Sequence, residues 1–429
     1  MGKRMTGNKI MICYAWGRPN AGDHALILGA LEQLERVVDL SEIIVVTRHS
    51  DDDPISPKAY IEERFPKVKV VPPPFDMKKR RRFAKIPQVM EAVVKAAGVF
   101  VFPNRFRHNQ PENSFWQALA STRLVLLNGG NLFFWHKVRH NLPRLIALAF
   151  PLLLAKRLKI PYGMLPQTCG PFDKGLVSKW IGRVFSHAKF VTFRDKSSIE
   201  SLASIISLER IRYQLLPDLA FSLTSRYAGN PQMDFLSSSK DYFCVSLRVA
   251  ALGDDVSKKH DNPIRTEEKI LSILPKAISG FQEMYGLHCI IVVQVCQDQA
   301  VSEKLLAALC ALQSDCSIIR LEDPYDFIEL YRKAQFLLTF RLHSMIFALA
   351  QGTPVVGIWR KPLGTKIPSM MKDMALEDYC IELDSLDHSN LLDKLALAYR
   401  QREDLRKDIR SSVQYRDKTA HEFYSKNLV

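Results

Sequence analysis

Between Ala334 and Ile358 the chain sets its own local path more firmly than anywhere else. Phe336 to Phe340 is a short apolar run that reads as a buried strand, and Met345 to Ala350 continues as a helix whose first residues are Arg341, Leu342, His343 and Ser344. Gly352 closes the helix, and Thr353-Pro354 leads into a second buried strand, Val355 to Ile358. Strand, tight turn, helix, strand is half of a parallel α/β sheet, because parallel strands need a crossover between them. The turn brings a guanidinium, an imidazole and the N–H groups of a helix start to the carboxyl edge of the sheet, where the helix dipole is positive. Such a corner binds anions and sets a titratable proton donor beside them.

The same beat runs through the whole chain. Strands are expected at Lys9 to Tyr14, Ile43 to Thr47, Val68 to Val71, Val99 to Phe102, Leu124 to Leu127, Ile160 to Leu165, Phe190 to Phe193, Tyr213 to Leu216, Tyr242 to Leu247 and Cys289 to Val295, with helical stretches between them. Polar loops follow several of these strands: Asn20-Ala-Gly22-Asp23, a donor-rich and flexible Asn128-Gly129-Gly130-Asn131, Pro166-Gln167-Thr168-Cys169-Gly170-Pro171-Phe172, Arg194-Asp195 and Pro217-Asp218. Their gathering on one sheet edge says more than any single loop. Gly22 either makes a simple turn, with Asn20 or Asp23 capping the helix, or lets a ligand approach the backbone. No G-x-G-x-x-G occurs after the first strand, which disfavours a nicotinamide cofactor.

A chain of 429 residues, 47% hydrophobic and 24% charged, points to two domains. Residues 1–224 would form the first, polar residues 225–240 the linker and 241–385 the second, with a helical tail, 386–429, packing back on both; residues 253–263 read as a mobile loop. The net charge of +15 admits nucleic acid, an anionic membrane surface or substrates bearing phosphate and carboxylate. Nucleic acid is disfavoured, since the chain has no recognisable binding motif and no aromatic stacking stripe. The basic run Lys78 to Lys85 is either a solvated loop or a contact with anionic lipid. Leu142 to Leu158, too short to span a bilayer, reads as a core or interdomain helix, or else as an interfacial one. The 8 cysteines form no C-x-x-C pair and several sit in apolar strands, so reduced core thiols are expected and a zinc site is not. With no secretory h-region and no long apolar run, a cytoplasmic location is expected, either free or peripheral at the inner face of a membrane.

Taken in order, Asn20-Ala-Gly22-Asp23, Gly129-Gly130-Asn131, Gln167-Thr-Cys-Gly170-Pro171-Phe172, Arg194-Asp195-x-x-Ser198, Pro217-Asp218, Ser246-Leu-Arg248, Arg341-Leu342-His343-Ser344 with Gly352-x-Pro354, and Lys366 resemble the polysaccharide pyruvyl transferase family over about Asn20 to Leu376. The resemblance implies a fold similar to glycosyltransferase-B, with two Rossmann-like domains facing a cleft. It also implies transfer of pyruvate from phosphoenolpyruvate onto two hydroxyls of a glycan or lipid-linked oligosaccharide, forming a cyclic ketal and releasing phosphate. Phosphoenolpyruvate would be a co-substrate, with no further cofactor and no metal. The sequence departs from the family where Asn128 replaces the first of three glycines, with no Asp close behind, and where Gln167 follows Pro166 in place of Gly. Those departures bear on the acceptor sugar more than on the donor.

A ligand with both phosphate and carboxylate needs at least two cationic clamps, for which Arg248 and Arg341 are suited and Lys366 is a third candidate. Leu342, His343 and Ser344 complete the expected donor site, with His343 as the acid that protonates the methylene carbon. Asp23 or Asp218 would assist the attacking hydroxyl, or else serve as helix cap and turn former. Asn20, Gly22, Asp23, Asn128, Gly129, Gly130, Asn131 and Gln167 are the expected acceptor contacts. Two rival readings are a glycosyltransferase using a nucleotide-sugar donor and a non-catalytic glycan- or lipid-binding protein of the same fold.

Overall fold

The computed structural model describes residues 7–17, 20–75, 86–103, 110–136, 141–224, 229–231, 233, 240–249, 262–361 and 364–428. The basic run 78–85, nearly all of the 253–263 loop and most of the 225–240 linker lie outside the described residues. The chain divides into two compact units: residues 1–18, 23–219 and 419–429 form the first, and residues 19–22 and 220–418 the second.

In the first unit the described strands are β1 (Lys9–Ala15), β2 (Ile43–Thr47), β3 (Lys69–Val71), β4 (Thr122–Leu127), β5 (Gly130–Trp135), β6 (Tyr162–Phe172), β7 (Phe190–Phe193) and β8 (Tyr213–Leu215). They pair in parallel in the order β3-β2-β1-β4-β6-β7-β8, with β5 alongside β6. Near-continuous apolar runs such as Ile10 to Ala15 and Leu124 to Leu127 are buried throughout, as expected of strands covered on both faces. Met11, Val125 and Met164 share one core cluster with Leu148 and Leu152 of the helix Leu142–Arg157 and Phe185 of the helix Leu176–Ser186.

The second unit repeats the plan with β9 (Tyr242–Ser246), β10 (His288–Val293), β11 (Cys316–Arg320), β12 (Leu337–Thr339), β13 (Val355–Trp359) and β14 (Cys380–Glu382), all parallel in the order β11-β10-β9-β12-β13-β14. In both sheets the winding direction reverses between the first strand and the neighbour that follows the outer pair, at β1/β4 and at β9/β12. Loops on either side of that reversal leave in opposite directions and open a crevice at the strands' carboxyl ends. The helix His388–Arg400 packs in this unit through Tyr399, whose ring lies 4.8 Å from Tyr285 and 5.8 Å from Phe281.

The structure corrects several local expectations. Val99 to Phe102 is not a strand; Val99 to Val101 form the last turn of the helix Ile86–Val101. A short apolar run cannot by itself separate strand from helix, and nothing breaks the preceding helical residues before Pro103. The loop expected at Asn128 to Asn131 becomes strand from Gly130 onward, and the loop expected after Leu165 is an extension of β6 out to Phe172. The two corrections have one cause, because β5 and the far end of β6 pair with each other. Strands β11 and β14 were not anticipated; both are sheet edges with half-buried residues, which blurs the apolar signal. Among the described residues no helix is long and apolar enough to cross a membrane.

Candidate functional site

In the second unit, β9 ends at Ser246 beside Thr339, the last residue of β12. The turn after β12 is fixed by Thr339, whose hydroxyl oxygen accepts from Arg341 N at 2.9 Å. Arg341 stands at the N-cap of the helix Leu342–Ala350 and is only 7% exposed. Its Nε donates to Asp298 Oδ2 at 2.5 Å and to Leu247 O at 3.3 Å, and Nη2 completes the ion pair with Asp298. Asp298 comes from the 3-10 turn Cys296–Asp298 that follows β10. Burial pushes its carboxyl above the ordinary value, while Arg341 and, more weakly, Arg248 pull it back down. A buried carboxylate thus holds the Arg341 guanidinium in one orientation, where an exposed arginine would sample many.

Ser344 is fully buried, and its hydroxyl donates to Gln294 Oε1 at 2.7 Å and lies 3.0 Å from Ser246 Oγ. That network ties the helix start to β9 and to the end of β10. His343 is half-buried one residue before it, with its ring 6.4 Å from Phe347. Arg360, just past β13, is buried and donates from Nη1 to Val249 O at 2.8 Å. Lys366 is exposed and begins the helix Lys366–Asp373. Arg248, Arg341 to Ser344 and Lys366 therefore follow three adjacent strands, β9, β12 and β13, at one sheet edge. Asn20 and Gly22 also group with this unit, and Asn20 Oδ1 accepts from Gly22 N at 3.1 Å.

The first unit holds the other expected residues in two connected networks. Asn128 is fully buried at the end of β4: its Nδ2 donates to Tyr14 O at 3.3 Å, its Oδ1 accepts from Gly129 N at 2.8 Å, and its carbonyl accepts from Gln167 Nε2 at 2.7 Å. These bonds clamp the ends of β1 and β4 to the middle of β6. Gly129 has no room for a side chain, since a Cβ there would fall 2.9 Å from Pro166 O. Gln167 Oε1 and Asn131 Oδ1 are buried acceptors without a hydrogen-bond partner among the described residues. Asp23, half-buried, lies in the first turn of the helix Ala21–Glu35.

Asp218 is fully buried and ion-paired with Nη1 of Arg194, whose Nε donates to Thr168 Oγ1 at 2.6 Å. Thr168 donates in turn to Asp195 Oδ2 at 2.7 Å, and Asp195 Oδ1 accepts from Ser198 N at 2.8 Å, capping the helix Lys196–Ala203. Burial pushes the Asp195 carboxyl up, but hydrogen bonds from Thr168, Ser197 and Ser198 outweigh it and hold the group below its ordinary range. The stabilisation from a depressed carboxylate is present above its unfolded pKa and is lost as pH falls through the folded value. Asp195→Ala should therefore cost about 1–2 kcal/mol at neutral pH and little once both states are protonated. Urea melts across the acid range would show the wild-type and variant curves converging.

Asp298, Gln294, Arg360 and the Arg194–Asp218 pair are not singled out by the sequence alone. Gln297-Asp298-Gln299 directly follows a strand that was expected, so its place at a carboxyl end was visible. What could not be seen was that β10 lies next to β9. Among the described residues no group of three His, Cys, Asp or Glu is placed to hold a metal ion.

Two parallel sheets of this winding, each with its polar residues at the crossing point, define an α/β protein of the glycosyltransferase-B type. Similar solved structures include the UDP-GlcNAc 2-epimerase of Neisseria meningitidis bound to UDP-GlcNAc, with a TM-score of 0.60, 14% identity and coverage of 98% of this chain and 99% of that one. A putative UDP-N-acetylglucosamine 2-epimerase from Listeria monocytogenes gives a TM-score of 0.56 at 16% identity, covering 97% and 94%. A glycosyltransferase from Rickettsia africae gives 0.55 at 11% identity, covering 98% and 99%. At these identities the likeness is one of fold. The model of the polysaccharide pyruvyl transferase family matches residues 20–362, and the chain belongs to that family. No curated protein matches the sequence.

Proposed function

We propose that this protein transfers pyruvate from phosphoenolpyruvate to two hydroxyls of one sugar in a cell-surface or exopolysaccharide glycan, or in its lipid-linked precursor, in the cytoplasm or at the inner face of the membrane. The observation that carries the reading is Arg341-Leu342-His343-Ser344 at the crossing point of the second sheet, in a chain of this family. Arg341 and Arg248 clamp the phosphate and carboxylate, with Lys366 as a third cation and the main chain of Leu342 to Ser344 at the helix start. His343 gives a proton to the methylene carbon, which leaves C2 electrophilic. One sugar hydroxyl adds to C2 and loses its proton to a base; phosphate departs; the second hydroxyl adds and loses its proton, closing the ketal. Asp23 suits the base role better than Asp218, whose carboxylate is fully buried against Arg194. Asn20, Gly22 and the Asn128 to Asn131 segment are the acceptor-side candidates, and Gln167 supports that segment by donating from Nε2 to the Asn128 carbonyl. No cofactor or metal enters the scheme.

The test is phosphate release from phosphoenolpyruvate with a panel of glycans, coupled to mass spectrometry of the acceptor. The expected product gains one pyruvate and loses one water. Acceptor-independent silence, together with protection of the protein by a nucleotide sugar, would replace this reading with glycosyl transfer. Glycan binding without turnover, unchanged in His343→Ala, would make the protein a binding module.

A further inference from the structure

The helix Ile86–Val101 is apolar on two opposite faces. Ala92, Ala96 and Val99 recur at helical spacing and are buried in the core of the first unit. About half a turn away lie Met90, Val94 and Val101, with Val93 and Phe100 on the flank between; all five are between 48% and 65% exposed, and Phe102 beyond the helix end is 57% exposed. A helix that covers a core with one face normally carries polar residues on the other. Here the polar residues among the described side chains are confined to one flank, where Lys95 pairs with Glu91 at 2.7 Å. The neighbouring helix Leu142–Arg157 donates from Arg157 Nε to Phe100 O at 2.9 Å and also exposes Leu142 and Ile146. Leu145, Leu148, Leu152 and Leu154 of that helix are buried, as the core-helix reading of the sequence expects. Contiguous exposed apolar surface of this kind marks a contact site.

We propose that the outward stripe of the helix Ile86–Val101 seats the protein on a bilayer containing anionic phospholipid. The sequence just before the helix supplies the charge complementarity: Lys78, Lys79, Arg80, Arg81, Arg82 and Lys85 are six cations, and no Asp or Glu occurs between Asp76 and Glu91. An anionic lipid surface accommodates both features, taking apolar side chains into its interface while attracting the adjacent basic segment. A second copy of this chain would cover the stripe equally well but would bring two six-cation segments together, and like charges repel. Since no described helix can cross a bilayer, the helix lies on the surface. The inference is independent of pyruvyl transfer and is read without any activity measurement.

The experiment is flotation of the full-length protein with vesicles of phosphatidylcholine alone and of phosphatidylcholine mixed with phosphatidylglycerol. Wild type should float with the mixed vesicles and partition to them at least about tenfold more strongly than to the neutral ones. Val94→Gln combined with Val101→Gln should weaken that partitioning about tenfold with an unchanged melting temperature, because both side chains are exposed. Val94→Leu with Val101→Leu should strengthen it, a response that a purely structural role would not give. Failure of wild type to float, or equal flotation of all three proteins, would overturn the proposal. A concentration-dependent dimer lost in the glutamine variant, with no vesicle binding, would overturn it in favour of self-association.

Discussion

His343→Ala should retain phosphoenolpyruvate binding and lose acceptor-dependent phosphate release by about a hundredfold or more in kcat, since a positioned general acid contributes on the order of 10²–10⁴ in rate. The loss belongs in kcat because protonation of the methylene carbon occurs only in the transition state; an interaction made equally with bound substrate would move KM instead. Arg341→Ala should raise KM for phosphoenolpyruvate as well as lowering kcat. It carries a second effect that must be separated from the first. Arg341 neutralises Asp298, which is 2% exposed, and removing one partner of a buried pair costs about 3–5 kcal/mol. Arg341→Lys is the cleaner probe: it keeps a charge near Asp298 but loses the planar fork that binds phosphate or carboxylate through two N–H groups. A lysine variant that melts close to wild type yet loses at least about tenfold in kcat/KM would assign Arg341 to the donor. Normal kinetics in both His343→Ala and Arg341→Lys would remove this corner from the reaction.

How much of this was legible beforehand follows from what each signal depends on. The buried strands Ile43–Thr47 and Phe190–Phe193 stood out because a parallel strand covered on both faces is apolar end to end. Arg341 to Ser344 stood out because an apolar strand runs directly into a helix start, and that order fixes the residues at a carboxyl edge. Strand order is different in kind. It depends on which crossovers go left and which right, and nothing local to Asp298 or Gln294 reveals that their strand lies beside β9. The Gln167 to Phe172 segment misled for a related reason. Gly170 and Pro171 argue for a turn when read alone, and it is the partner β5 that draws them into a strand. At Asp218 the sequence leaves turn former and catalytic base open, because a carboxylate's role is set by its neighbours, and Arg194 lies twenty-four positions away.

Arg194→Ala is expected to be among the most destabilising single substitutions in the first unit. The Asp218 side chain is 0% exposed and that of Arg194 is 7% exposed, so deleting the guanidinium breaks an ion pair that is out of reach of bulk water. The expected cost is about 3–5 kcal/mol, a large share of the roughly 5–15 kcal/mol that keeps a domain folded. Thr168 also loses the hydrogen bond from Arg194 Nε, which loosens the chain of contacts through Asp195 to the helix Lys196–Ala203. Replacing both partners, as Arg194→Met with Asp218→Leu, should cost less than either single truncation, because the apolar pair has no charge to desolvate. Urea denaturation of the two singles and the double completes the cycle, and a double variant as unstable as the sum of the singles would mean that the pair is not coupled as the geometry indicates. Asp218→Asn then separates architecture from chemistry. It keeps the shape and one acceptor oxygen for Arg194, so a stable variant with wild-type pyruvyl transfer would leave Asp218 as the anchor of Arg194 alone, while a stable variant without turnover would return it to the role of base.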